Sequence, residues 1–295
     1  MRAALIAVML VGCGSHELPD LHARSADGTD IVYHVAGSGP VAIVHAGGPG
    51  LEWRYVRMPL LEDHLTMVYI EPIGTGRSGR LADPEGYTLH AYASSIEAVR
   101  AAVGTDRVFL IGHSHGGKVA MQYAAEHPAH LRGLIVYSAS AVTDDEWNHD
   151  VAHAVESFAG EPWYATSHAA FDEKFPPTWG GPCRHLAAIS AFYFADYTHR
   201  RADLDPWIAE LRCWKVGTLR DEPHDDMRPR LAGLKVPTLV ITGKRDWLFP
   251  DKYARLTAAA IPGATVTILD HSGHFGHVEE PEAFAAAVAA FAKAH

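Results

Sequence analysis

The segment Gly112-His-Ser-His-Gly116 sets a serine between two glycines, each two residues away. It follows the apolar run Val108-Phe-Leu-Ile111 and opens a helical stretch that ends near His127, with Pro128 closing it. A turn this tight between strand and helix strains the backbone at Ser114. It needs glycine where side chains would collide, and it holds the hydroxyl above the carboxyl edge of a sheet. A serine hydroxyl is a poor nucleophile until a base takes its proton. The base is expected late in the chain, with an acid before it, in the order Ser…Asp…His.

Asp246 follows the apolar run Val236 to Thr242, and His274 follows the run Thr265 to Leu269. Both therefore fall at the carboxyl ends of expected parallel strands, the edge that also carries Ser114. His271 and His277 are the rivals of His274, and Asp251 and Asp270 are the rivals of Asp246. Position decides for His274 and Asp246. His113 and His115 flank the nucleophile; their side chains are expected to point away from it and to be structural. A tetrahedral intermediate needs two aimed backbone N–H groups for its oxyanion. One is expected from His115. The other is expected from the loop His45-Ala-Gly-Gly-Pro-Gly50, at Gly47. No metal or organic cofactor is needed for this chemistry.

The elements that must position these groups alternate along the chain. Thr29 to Val35 reads as a half-buried antiparallel strand, and Val41–Val44, Thr66–Ile70, Val108–Ile111 and Leu134–Tyr137 as buried strands. Helical spacing covers residues 90–103, and strand–helix alternation resumes from Val236, ending in an alanine-rich helix from about residue 281. Such alternation predicts an α/β fold with a mostly parallel, doubly wound sheet. Between about 141 and 232 the rhythm breaks into helix-like pieces holding five of the seven tryptophans, which predicts a helical cap insertion. Trp163, Trp179 and Tyr193 could line an apolar pocket; each is read as part of the cap's own small core. The domain reading is a signal and tether over 1–20, a first core part over 21–140, the cap over 141–232 and a second core part over 233–295.

Hydrophobic residues make up 48% of the 295, enough for a sizeable core. A net charge of −10 argues against a nucleic-acid partner. The expected partner is a small-molecule or short-peptide substrate. The N-terminus begins Met1-Arg2, continues with an apolar run to Val11 and reaches Gly12-Cys13. That pattern resembles a bacterial lipoprotein signal cut before a lipid-modified Cys13, which would anchor an exported enzyme to a membrane surface. An ordinary secretory signal and a cytoplasmic enzyme with a misassigned start are the alternatives. Cys183 and Cys213 are expected as two unpaired buried thiols, a disulfide being possible on export.

Together these pieces resemble the proline iminopeptidase family of α/β-hydrolases. That family carries a His-Gly-Gly-Pro-Gly loop, here His45-Ala-Gly-Gly-Pro-Gly50. It also carries Asp-x-x-Gly-x-Gly-x-Ser, here Glu71-Pro-Ile-Gly74-Thr-Gly76-Arg-Ser78, with Glu where Asp is usual. The loop Gly243 to Asp246 and the pair Gly273-His274 match too. The resemblance covers roughly 25–140 and 233–295. It implies a serine hydrolase with an acyl-enzyme at Ser114, and an aminopeptidase taking an N-terminal proline or similar residue. A carboxylic-ester hydrolase on the same scaffold is the alternative. The family's peptidases hold the substrate's free amine with cap acids; here the cap offers Glu161, Glu173, Glu210 and Glu222, with no motif to choose among them.

Overall fold

The computed structural model describes residues 17–173, 179–217 and 226–295. Its strands are β1 (Leu21–Arg24), β2 (Asp30–Gly37), β3 (Val41–His45), β4 (Thr66–Ile70), β5 (Val108–His113), β6 (Leu131–Tyr137), β7 (Trp179–Pro182), β8 (Arg212–Trp214), β9 (Thr238–Gly243) and β10 (Thr265–Leu269). Eight of them form one sheet in the order β1-β2-β4-β3-β5-β6-β9-β10. The pairs β1–β2 and β2–β4 are antiparallel, and every later pair is parallel. The mostly parallel sheet expected from the alternation is present.

The helices are α1 (Pro59–Glu62), α2 (Leu89–Val103), α3 (His115–Glu126), α4 (Asp145–Glu156), α5 (Tyr164–Ala169), α6 (Arg184–Ile189), α7 (Tyr197–Glu210), α8 (Arg228–Leu231), α9 (Asp251–Ala259), α10 (Gly276–Glu279) and α11 (Pro281–Ala294). They explain the unbroken apolar runs. Successive residues of a strand point to opposite faces, and both faces here are covered. Ile43 and Leu110 face a core shared with α2, α3 and α9, whereas Val44 and Ile111 face a core shared with α1 and α11. Phe291 and Phe284 of α11 meet Phe109 and Tyr137 with ring centroids 6.2 and 4.7 Å apart.

Glu71 replaces the usual Asp with a structural role. Its carboxylate accepts from the Arg77 backbone N–H and from Nε2 of His34, while Ser78 Oγ donates to its carbonyl at 2.7 Å. The turn from β4 is thereby fastened to β2, because the Val32 N–H donates to the same Ser78 oxygen.

The segment after β6 carries α4 to α8. It has its own small core, in which Val155, Phe158, Ile189 and Phe192 pack with Trp247. It is not purely helical: β7 and β8 pair antiparallel, with Cys213 within β8 and Cys183 directly after β7. Cys183 and Cys213 are bonded, with Cα atoms 5.1 Å apart. This corrects the expectation of free thiols. The thirty-residue separation hid the hairpin-like pairing that brings the two positions together. Among the described residues, no helix is long and apolar enough to cross a membrane.

Candidate active site

β5 ends at His113 and α3 starts at His115, so Ser114 makes the whole turn by itself. Its φ is 55° and ψ −123°, a region that costs a side-chain-bearing residue of order 1–3 kcal/mol. The flanking glycines follow from contact: a Cβ on Gly112 would overlap the Gly116 carbonyl, and one on Gly116 would overlap the carbonyls of His45 and Ala46. Gly47 is held just as close, since a Cβ there would sit 2.8 Å from both the His113 oxygen and Ser114 Cβ. The loop after β3 thus lies against the turn after β5, as adjacent parallel strands require.

Asp246 and His274 leave β9 and β10 at the same edge. His274 Nδ1 is 2.8 Å from Asp246 Oδ2, and both side chains are buried. Oδ1 of Asp246 accepts the Leu248 and Phe249 backbone N–H groups at 3.0 and 3.1 Å. Burial pushes this carboxyl up, but the neighbouring His274, its hydrogen bond and the Phe249 N–H outweigh burial and hold it below the usual carboxylate range. The rivals are placed elsewhere. Asp270 is exposed and pairs with Lys244, Asp251 pairs with Arg255, and His271 is exposed. His277 is buried, with its Nε2 2.6 Å from the Tyr55 carbonyl and its Nδ1 2.8 Å from the Tyr137 hydroxyl.

Ser114 and His274 border one cavity of about 420 Å³. Its inner wall includes Tyr55, Tyr193, Leu248 and Phe275, and Gly48 and His113 also reach it. Tyr193 packs against the cap core, as expected, and also borders the cavity, where it stacks on Phe275 at 5.6 Å. Trp163 does belong to the cap core, 5.0 Å from Phe192. Of the cap acids, Glu161 accepts from Thr198, and none of Glu161, Glu173 and Glu210 borders the cavity. Glu222 lies outside the described residues, as does Cys13.

Two expectations need correcting here. The Gly47 N–H, expected to receive an oxyanion, donates instead to the Tyr55 hydroxyl at 2.6 Å, and Gly48, not Gly47, reaches the cavity. His115 takes the first position of α3, where N–H groups point outward along the axis. His113 is structural, yet it does not turn away from the site. Its ring lies 4.6 Å from that of His274, with Nδ1 2.8 Å from Tyr55 Oη and Nε2 3.0 Å from the His274 carbonyl. Burial, followed by the charges of His274 and His277, keeps it well below the usual imidazole range. Tyr55 was not read from the sequence, and His277 was read only as a rival of His274; a tyrosine eight residues beyond a glycine carries no signal by itself.

Glu97, His127 and His130 are the one group of metal-ligating side chains that come together among the described residues. The Glu97 carboxylate already accepts from Arg100, Tyr123 and His130, so its oxygens are occupied by protein donors.

Residues 39–281 match the family described as the alpha/beta hydrolase fold. The proline iminopeptidase of Saccharolobus solfataricus is 27% identical over 276 residues, covering 86% of this chain and 84% of that protein. RutD of Caulobacter sp. (strain K31), named as a proposed carbamate hydrolase, is 29% identical over 272 residues, covering 89% of this chain and 96% of that one. A thermophilic esterase from Thermogutta terrifontis superposes with a TM-score of 0.70 at 20% identity, covering 93% of this chain and 98% of the other. The chain belongs to the α/β-hydrolase family and is a hydrolase of that fold.

Proposed function

We propose that this α/β-hydrolase cleaves carboxylic esters through an acyl-enzyme on Ser114. His274 takes the serine proton as Oγ attacks the ester carbonyl, then gives that proton to the departing alcohol. Water, deprotonated by His274, releases the acid in the second half. Asp246 fixes the imidazole with Nδ1–H toward itself, which leaves Nε2 to act as the base. His115 and Gly48 supply the oxyanion N–H groups, because that of Gly47 is committed to Tyr55.

One observation carries the choice of ester over peptide. Among the described residues, those bordering the cavity include no carboxylate, so none of them offers an anion to a substrate's free amine. The 27% identity to a proline iminopeptidase favours the aminopeptidase reading as the second one. Parallel assays of a short-chain nitrophenyl ester and a proline arylamide separate them. Ester turnover without arylamide cleavage is expected; the reverse preference would replace this reading with the peptidase.

We also propose that the enzyme is exported and held at a membrane surface through a lipidated Cys13. The Cys183–Cys213 bond supports export, because such bonds persist in oxidising compartments.

A further inference from the structure

Two exposed cations border the cavity that Ser114 and His274 share. The protein carries a net charge of −10, yet among the described residues Arg184 and Lys215 border the cavity and no Asp or Glu does. Neither cation makes an ion pair among the described residues, whereas the exposed Arg201, Arg228 and Arg255 each pair with an aspartate. The two are also held together covalently. Arg184 follows Cys183, Lys215 lies two residues past Cys213, and those cysteines are bonded with Cα atoms 5.1 Å apart. Two like charges stapled to one rim repel each other unless an anion sits between or beside them. The same cavity is also lined by the aromatic and aliphatic side chains of Tyr193, Leu248 and Phe275. Such a lining accepts hydrocarbon.

We infer that Arg184 and Lys215 form an anion-recognition site at the cavity mouth, and that the substrates are esters bearing a carboxylate at the end remote from the scissile bond. The inference rests on the ester-hydrolase reading of Ser114 and names the substrate class for it. The hydrocarbon between the two ends lies along the apolar wall, and the carboxylate reaches the guanidinium and ammonium, whose charge-assisted hydrogen bonds are stronger than neutral ones. A cationic mouth on an acidic protein also steers anions toward the site, in a manner that salt weakens.

The test compares 4-nitrophenyl butyrate with mono-4-nitrophenyl glutarate over enzyme-free blanks, at about 20 mM and about 500 mM salt. The expected ratio of kcat/KM, anionic over neutral, is about tenfold at low salt and smaller at high salt. The double variant Arg184→Ala/Lys215→Ala lowers that ratio about tenfold, and the charge-keeping Arg184→Lys retains most of it. Circular dichroism melts confirm that the variants are folded. A ratio near one in the parent enzyme, or a ratio indifferent to the double substitution, overturns the inference while leaving ester hydrolysis standing. If neither ester is cleaved, the ester reading falls instead. Calorimetric titration with glutarate then decides anion recognition alone: binding by the parent and not by the double variant sustains it, and no binding by the parent ends it.

Discussion

The Tyr55 hydroxyl lies 2.8 Å from Nδ1 of His113, and this one contact joins two arms of the site. His113 Nε2 faces the carbonyl of His274 at 3.0 Å, so Nε2 must carry the proton. Neutral His113 then offers a lone pair at Nδ1, and Tyr55 donates to it while accepting the Gly47 N–H. The chain of bonds runs from the glycine loop to the backbone of the general base. Tyr55→Phe removes its centre and leaves a buried imidazole nitrogen without a donor. We expect a loss of about 1–3 kcal/mol in stability and a fall in kcat larger than any rise in KM. Denaturant unfolding and steady-state kinetics check this; a variant with kcat unchanged would show that the loop and His274 are positioned independently.

Ser114→Ala is expected to abolish hydrolysis and leave the fold intact. Substitution by glycine separates strain from chemistry. Ser114→Gly is equally inactive but tolerates the positive φ, and should be more stable than Ser114→Ala by about 1 kcal/mol. That corresponds to a melting temperature higher by about 1–2 °C. Full residual turnover in either variant would remove the nucleophile assignment.

The local chemistry of the site was legible because it depends on short patterns. Glycine on both sides of Ser114 reports a contact between β5 and α3, and the position of Asp246 and His274 after apolar runs reports the sheet edge. What stayed hidden depends on distance in the chain. Gly47 and Gly48 are neighbours in sequence, and only the location of Tyr55 shows which of them is already bonded. His113 looks like any flanking histidine until Tyr55 and His274 arrive at its two nitrogens. The Cys183–Cys213 bond depends on the pairing of two strands of three or four residues, too short to produce a periodic signal.

Three buried histidines give stability a pH dependence of definite sign. Burial holds His277 at about 4 and His45 at about 3, and His113 also lies well below the ordinary value of 6.5. Unfolded chains protonate near 6.5, so the stabilisation is complete above that pH and is lost as pH falls toward the folded values. Glu279 acts in the opposite sense, since burial raises it to about 7. A variant isolates one histidine from this background. His277→Gln should be less stable than the parent at pH 7, and the gap should shrink by about 3 kcal/mol on descending to pH 4. Urea unfolding at several pH values measures it; a gap independent of pH would contradict the neutral, desolvated state of His277.

Mass spectrometry of the mature protein from a membrane fraction tests the anchor. A chain starting at Cys13 with the added mass of acyl chains is expected. An unmodified chain starting at Met1 would return the enzyme to the cytoplasmic alternative.

The disulfide should matter to catalysis as well as to stability. β8 is joined to the glycine loop by backbone bonds on both sides of Cys213: the Trp214 N–H donates to the Gly50 carbonyl at 2.8 Å, and the Glu52 N–H to the Arg212 carbonyl at 3.2 Å. The Cys183–Cys213 bond therefore restrains the loop that carries Gly48, through a strand of only three residues. Closing a loop across a separation of 30 residues is worth about 3.6 kcal/mol in chain entropy. The double variant Cys183→Ser/Cys213→Ser, which leaves no stray thiol, should lose about that much stability and a larger share of kcat than of substrate affinity. The parent treated with dithiothreitol should behave like the variant. If kcat were the same in all three states, the glycine loop would be held by the core alone, and the bond would serve only to fasten β7 to β8.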